Sequence, residues 1–153
     1  MIYFKKCFFN TPAEIYIRSV IHDVRGALRE SKISKGLVTV QTPESGAGFF
    51  IGEPLDDLLK QFKAAAELFP GEGVETKTKR KEIVSIGPRV KAEMFGRALS
   101  LPFEDEKLML APREEIMLID FEAREKRREF LVHVFGETPE TKTPPTKQPA
   151  PRR

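Results

Sequence analysis

The sequence predicts an α+β fold with a mainly antiparallel β-sheet, two longer helices and one short helix. Runs rich in β-branched and aromatic residues are interleaved with three segments of helical periodicity. Several of these runs are only a few turn residues apart, which favours antiparallel neighbours because a parallel pair needs a crossover of a dozen or more residues. A chain of 153 residues, 40% of them hydrophobic, suffices for one core. We therefore expect a single domain over residues 1–137.

Three helices are predicted over residues 19–31, 54–69 and 88–95. Ser19 is the predicted N-cap of the first helix, Pro54 occupies the first position of the second, and Gly96 ends the third. The second helix should bury one apolar stripe, formed by Leu55, Leu58, Leu59, Phe62, Ala66 and Phe69.

Strands are predicted over residues 2–9, 14–17, 37–41, 47–51, 98–103, 107–110, 115–121 and 130–135. Three short connections, 42–46, 104–106 and 122–129, predict hairpins between neighbouring strands. Aromatic residues on the strands, such as Phe49, Phe50 and Phe130, offer a surface for contact between subunits.

Residues 138–153 differ in composition from the rest of the chain. They include five prolines and only one hydrophobic residue, Ala150, so they cannot bury enough apolar surface to offset the entropy of ordering. This composition predicts a disordered or polyproline-like tail. The tail also carries the formal net charge of +3, which leaves residues 1–137 neutral overall. Nucleic-acid binding is therefore disfavoured as a function.

The sequence also bears on location and cofactors. It has no apolar run long enough to cross a bilayer, and its single cysteine, Cys7, lies among aromatic residues and predicts a buried thiol. These features favour a cytoplasmic protein without a membrane partner. The Gly-rich phosphate loops and the paired histidine or cysteine motifs are missing, and we expect no cofactor or metal. His22 is predicted to be exposed, and His133 to be buried on a strand face with Leu131 and Phe135.

A series of short segments is informative when it is read in order. It comprises Gly36-Leu37-Val38-Thr39-Val40, Glu44-Ser45-Gly46-Ala47, Glu53, Pro70, Lys91-Ala92 and Gly96, Leu101-Pro102, Leu108 to Leu110, Ile116 to Asp120, and Arg127-Arg128. Over residues 1–137 this series resembles the secondary thiamine-phosphate synthase (YjbQ-like) family. The resemblance implies a homotrimer, and an activity that forms thiamine phosphate from a pyrimidine diphosphate and a thiazole phosphate.

The chain departs from that family at its functional positions. The three family histidines fall on Glu44, Thr78 and Arg89, and a Gly-x-Trp-Gln stretch falls on residues 111–114. The family pocket would then be formed by Glu44, Ser45, Arg89, Arg113, Glu114, Asp120 and Arg127. Groups with a fixed charge at neutral pH have thus replaced imidazoles, which ligate metals and exchange protons.

Two interpretations of these charges stay open. In one, the arginines bind a small anionic or phosphorylated ligand through bidentate hydrogen bonds. In the other, the charges neutralise one another and close a vestigial cleft. Asp120 alternates in phase with buried residues and needs a cationic partner, for which Arg127 and Arg128 are the candidates. The sequence therefore predicts a divergent family member without the family's catalysis; the alternative is a non-enzymatic oligomeric binding or assembly protein.

Overall fold

The computed structural model describes residues 1–69 and 73–139. Within them the elements are β1 (Ile2–Thr11), β2 (Tyr16–Ser19), α1 (Ile21–Ser31), β3 (Lys35–Gln41), β4 (Ala47–Gly52), α2 (Asp56–Ala66), β5 (Glu75–Lys77), β6 (Ile83–Ser85), α3 (Ile86–Phe95), β7 (Ala98–Glu104), β8 (Lys107–Leu108), β9 (Glu115–Asp120) and β10 (Lys126–Glu137). The predicted tail begins at residue 138, and its residues 140–153 lie outside the described part of the chain.

The described strands form two main sheets and a separate hairpin. The large sheet has the strand order β1-β10-β3-β7-β8, the small sheet has the order β2-β9-β4, and β5 pairs with β6. Every pairing between these strands is antiparallel. The predicted α+β class with a mainly antiparallel sheet is confirmed.

The main core lies between the two sheets. Alternate residues of the large sheet, including Val38 and Val132, point to the same core as Phe49 and Leu118 of the small sheet, because successive side chains of a strand face opposite ways. Helix α1 adds the apolar stripe of Val24, Ala27 and Leu28 to this core. The buried face of the large sheet is thereby covered.

A second, smaller core covers the other face of the small sheet. It joins Ile119 and Phe121 to residues of α2 and α3, and Phe50 stacks on Phe62 with 4.3 Å between ring centroids. The contribution of α2 is smaller than its pattern predicts, since Ala66 is its only fully buried residue in the described part of the chain. Leu58 of the predicted stripe remains 47% exposed.

Two of the three predicted hairpins are instead crossovers between sheets. Residues 42–46 leave β3 in the large sheet and enter β4 in the small sheet, and residues 121–125 lead from β9 back to β10. The connection between β7 and β8 is a hairpin, with Glu104 opposite Lys107. Connection length predicted the antiparallel pairing but could not distinguish a hairpin from a change of sheet.

The ends of the helices show where local sequence signals were sufficient. Gly96 ends α3 as predicted, with a φ of 87°, a value that glycine tolerates best. In contrast, α1 begins two residues later than predicted, because Ser19 belongs to β2 and its hydroxyl oxygen only weakly accepts the Ile21 N–H at 3.4 Å. The strands β5 and β6, of three residues each, were not predicted.

The predicted burial of His133 is wrong. His133 is exposed, with its ring edge-on to Phe4 at 6.2 Å, and the buried residues of this part of β10 are its neighbours Val132 and Val134.

Cys7 is buried and His22 is exposed, as expected. None of the described helices is both long and apolar enough to cross a membrane.

Candidate functional site

An ion pair between Asp120 and Arg128 lies at the crossover between the sheets. Both residues are buried, and Nε and Nη2 of Arg128 lie 2.8 Å and 2.7 Å from Oδ2 of Asp120. Nε donates a hydrogen bond, whereas Nη2 is not aligned for one, so its contact is electrostatic. Nη1 donates to the backbone oxygen of Ser45 at 3.0 Å, and Oδ1 of Asp120 accepts the Glu122 N–H. The predicted cationic partner of Asp120 is therefore Arg128.

Glu122 is the centre of a second layer of charges beside this pair. Its Oε2 lies 2.7 Å from Nζ of Lys126 and accepts a hydrogen bond from Nη2 of Arg124 at 3.1 Å. Lys126 also lies 3.7 Å from Oε2 of Glu44, whose Oε1 accepts the Glu129 N–H at 3.0 Å. Glu44 is thus held by a backbone amide and an ammonium group. We call Glu44, Asp120, Glu122, Lys126 and Arg128 the crossover cluster.

The pKa of Glu122 reflects the competition in this cluster. Burial alone raises it, but the hydrogen bond from Lys126 and the charges of Lys126, Arg128 and Arg124 outweigh burial and lower the pKa below its ordinary value. The close approach is possible because residue 46 is glycine, where a Cβ atom would lie 2.5 Å from Cγ of Glu122. Glu122 therefore remains ionised at neutral pH.

Helix α3 brings Arg89 next to the crossover cluster. The helix packs closely on β4 because Gly48 lacks a side chain; a Cβ atom there would lie 2.8 Å from Cβ of Phe95. Arg89 is partly buried, and it has no hydrogen bond or ion pair with any described residue. Lys126 and Arg128 each have a carboxylate partner. Arg89 has none within the described ranges.

Two adjoining cavities meet at Arg89. One, of about 280 Å³, is lined by Ile83, Val84, Ser85, Pro88, Arg89, Glu122 and Arg124. The other, of about 260 Å³, is lined by Ser45, Gly46, Arg89, Ala92, Glu93, Gly96 and Arg97. We refer to the two cavities together as the Arg89 cleft.

Arg113 and Glu114 lie in a different region, near the start of α2. Nε of Arg113 is 3.9 Å from Oε2 of Glu53, and the Arg113 side chain is 80% exposed. Glu114 accepts the Ala111 N–H at 2.7 Å and so stabilises its own turn. These residues line a cavity of about 680 Å³ whose walls also include Arg25, Leu55, Lys107, Leu108 and Leu110. We call it the 53–113 groove.

Arg127 belongs to neither region. It lies on the exposed face of β10, where its guanidinium group stacks 4.0 Å from the ring centroid of Phe8. The seven candidate residues thus fall in three places: Glu44, Ser45, Asp120 and Arg89 at the crossover and its cleft, Arg113 and Glu114 in the groove, and Arg127 on the outer surface.

Sequence reasoning missed Glu122 and Lys126, although a signal was present. Glu122 and Lys126 are an even number of residues from Asp120 and Arg128. Because alternate residues of an extended chain point the same way, the charges at 120, 122, 126 and 128 predict four side chains on one side of the chain. The prediction of a hairpin connection over residues 122–129 did not use this pattern. Within residues 1–69 and 73–139, no three His, Cys, Asp or Glu side chains are grouped so that they could hold a metal ion.

These features define an α+β protein of two facing antiparallel sheets with a charged cleft where the chain crosses between them. The family model described as "UPF0047 protein YjbQ-like" matches residues 5–137. The chain therefore belongs to the YjbQ-like family. No curated protein matches it.

Several solved structures share the fold. A protein of the yjbq/upf0047 family from Clostridium acetobutylicum superposes with a TM-score of 0.73 at 22% identity, covering 84% of this chain and 97% of its own. A YbjQ-like protein of unknown function from Sulfolobus solfataricus gives 0.71 at 18% identity, with coverages of 90% and 99%. A hypothetical protein from Aeropyrum pernix K1 gives 0.71 at 20% identity, with coverages of 87% and 99%. At these identities the likeness concerns the fold.

Proposed function

We propose that this chain binds a small phosphorylated or carboxylated ligand in the Arg89 cleft. The observation that carries the proposal is the partly buried guanidinium of Arg89, which has no carboxylate partner among the described residues and borders both cavities. A guanidinium group presents paired N–H donors that match two oxygens of a phosphate or carboxylate. Its charge is available to a ligand, whereas those of Lys126 and Arg128 are already neutralised.

Other groups in the cleft favour a small anion. The hydroxyl of Ser85 is at the N-cap of α3 but makes no capping hydrogen bond, which leaves it able to donate to a ligand. Arg124 also lines the cleft; its guanidinium contacts Glu122, and its side chain is 68% exposed. Each cavity is smaller than the usual site for a drug-sized molecule, so a phosphate monoester or small carboxylate fits better than a bulky substrate.

We further propose that binding occurs without the family's thiamine-phosphate synthase chemistry. Catalysis of proton transfer needs a group that titrates near neutral pH. At the family positions Glu44 is engaged by the Glu129 amide and Lys126, and Asp120 is engaged by Arg128. Arg89 cannot act as a general base, because its guanidinium stays protonated.

Calorimetric titration with inorganic phosphate and pyrophosphate tests the binding proposal. We expect Arg89→Gln to weaken binding by about 10- to 100-fold, the size of a lost charge-assisted hydrogen bond. Arg29→Gln is the matched control, because Arg29 is exposed on α1 and its single described ion pair, with Glu106, is long at 3.9 Å. Equal affinities for the original chain and Arg89→Gln would refute the role of Arg89.

Elemental analysis and a turnover assay test the second part. We expect no stoichiometric transition metal and no formation of thiamine phosphate after purification without chelators. Glu44→His, Thr78→His and Arg89→His combined should recover metal binding before any activity, because catalysis needs tighter geometry than ligation. Near-stoichiometric zinc, nickel or copper in the original chain, lost in Glu44→Ala, would contradict the proposal.

A second candidate function is an oligomeric binding or assembly protein on the same fold. The resemblance implies a homotrimer, and one structural observation favours self-association: the large sheet leaves one apolar face exposed. Of the three strand aromatics suggested for this role, Phe49 and Phe130 are buried in the main core and cannot provide the contact, and Phe50 is partly buried in the second core, where it stacks on Phe62. Sedimentation at micromolar concentration should therefore show an oligomer; a stable monomer would contradict this candidate.

A further inference from the structure

Helix α3 carries its charged side chains in the order that its own dipole disfavours. The N-terminal end of a helix favours negative groups and the C-terminal end favours positive ones. In α3, Arg89 lies in the first turn and Glu93 in the last, and there is no acidic residue in the first turn and no basic residue in the last. Sequences that depart from such local rules do so most often at functional sites. The charges of α3 are therefore candidates for a role in binding.

Arg89 and Glu93 do not neutralise each other. They lie one turn apart on α3, and both line the cavity of about 260 Å³ in the Arg89 cleft. Side chains four residues apart on a helix are close enough to pair, but the order with the cation first is the less favourable one. No ion pair joins the two residues, and neither pairs with any other described residue. The cavity thus presents a cation and an anion that are both available to a ligand.

The N-terminal end of α3 supplies donors for a phosphate. Arg89, Arg124 and Ser85 line the cavity of about 280 Å³ at this end, and Ser85 is the N-cap residue without a capping hydrogen bond. Glu122, the acid of this cavity, is paired with Lys126. Three separate donors match the three terminal oxygens of a phosphate monoester, whereas a carboxylate has only two oxygens. Of the two anion classes proposed above, these features favour the phosphate monoester.

The C-terminal end of α3 suits a cationic group. Glu93 is exposed to solvent in the cavity of about 260 Å³, beside Ser45, whose hydroxyl forms no hydrogen bond with a described residue and can accept one from an ammonium group. Arg97 is the other charged residue there besides Arg89; it follows Gly96 and lies outside the helix. The Glu93 carboxylate and the negative end of the helix dipole both favour a cation at this end.

We propose that the Arg89 cleft selects a phosphate monoester that also carries an ammonium group, with the phosphate at Arg89 and the ammonium at Glu93. This inference rests on the small-anion binding proposed above for the same cleft. The two residues are about 6 Å apart along the helix axis, a distance that a spacer of two or three carbon atoms spans. The ligand supplies the charge that each end of α3 lacks. Arg89 then determines affinity, and Glu93 determines specificity.

Calorimetric titration of the full chain with two matched probes tests the proposal. Phosphoethanolamine and ethyl phosphate differ only in the terminal ammonium group, and at pH 8 both phosphates are ionised while the ammonium stays charged. We expect phosphoethanolamine to bind about two- to fivefold more tightly, the scale of an exposed ion pair. Glu93→Gln should abolish this preference without lowering the affinity for ethyl phosphate. Arg89→Gln should weaken the binding of both probes.

Two further variants are controls for the loss of charge itself. Glu67→Gln removes the same charge at the exposed end of α2 and lines neither cavity of the cleft, so the preference should be retained. Arg97→Gln removes the other charge of the smaller cavity and should retain it as well. Circular dichroism checks that each variant is folded.

The outcomes separate this inference from the function on which it rests. Equal or weaker binding of phosphoethanolamine to the original chain would overturn the selection of an ammonium group and leave anion binding intact. A preference that persists in Glu93→Gln, or that Glu67→Gln also abolishes, would overturn the role of Glu93. Binding of neither probe, nor of inorganic phosphate, would overturn anion binding in the cleft and this inference with it.

Discussion

The crossover cluster and the 53–113 groove contain the same kinds of residues in opposite environments. In the cluster, the Arg128 and Asp120 side chains are 0% and 2% exposed with a closest contact of 2.7 Å; in the groove, the Arg113 and Glu53 side chains are 80% and 30% exposed and 3.9 Å apart. A buried charge must be paired to offset the cost of leaving water, whereas an exposed charge is solvated either way. The comparison shows that the location of an arginine, rather than its residue type, determines its contribution to stability.

The largest expected effect is that of Asp120→Ala, which leaves the Arg128 guanidinium buried without its carboxylate. We expect a loss of about 3–5 kcal/mol in the free energy of unfolding. For a chain of this size that corresponds to roughly 10 °C in melting temperature. Chemical denaturation and calorimetry measure the change.

The double substitution Asp120→Leu with Arg128→Met is the control for this prediction. Because it removes both charges and keeps apolar volume, most of the lost stability should return. A loss below 1 kcal/mol for Asp120→Ala alone would show that water reaches the pair and that the contrast between the two regions is wrong.

The second prediction concerns the loss of stability at acidic pH. The folded-state pKa of Glu122 is lowered from its ordinary value of 4.5, so its contribution to stability is present above pH 4.5 and is lost as the pH falls through the folded-state pKa. Glu122→Gln should therefore flatten the acid side of the stability profile and lower stability at neutral pH. Denaturation at a series of pH values from 7 downward checks it, with Glu53→Gln in the groove as the control, because the one described ion pair of Glu53 is a long contact of 3.9 Å with Arg113; identical acid profiles for the original chain and Glu122→Gln would exclude the effect.

A third, smaller effect is expected in the groove. Arg113→Ala should change the free energy of unfolding by less than about 0.5 kcal/mol, since exposed ion pairs contribute little and are screened by salt. The residue has a positive φ of 66°, so Arg113→Gly separates the effect of the side chain from that of the backbone and should be neutral or slightly stabilising. A loss above 2 kcal/mol in Arg113→Ala would mean that the groove is covered in the assembled protein.

The smallest effect is expected from removal of residues 138–153. This segment offers the core almost no apolar area, so the melting temperature should stay within about 1 °C and the pI should move toward neutrality. A clear fall in melting temperature after truncation would show that the tail docks on the folded domain, and our prediction of a disordered tail would be wrong.

Local signals in the sequence were sufficient for most of the fold and part of the site. Gly96 ended a helix because left-handed backbone favours glycine, and Asp120 required a cation because its strand parity placed it inside. In contrast, residues 42–46 and 122–129 have the length of hairpin turns, and their length carries no information on which sheet the next strand joins. Glu44, Ser45 and Asp120 come together at those crossovers, which connection length could not predict.

The sequence by itself determined the antiparallel α+β class and the neutral net charge of residues 1–137, because each depends on residue type and short-range spacing. The tertiary structure decided which charges are neutralised and which are available. Lys126 and Arg128 meet carboxylates only because β9 and β10 belong to different sheets joined by one crossover. Arg89 comes from helix α3 and makes no ion pair with a described carboxylate. The pairing of charges depends on distances between residues far apart in the chain, and residue type alone does not specify those distances.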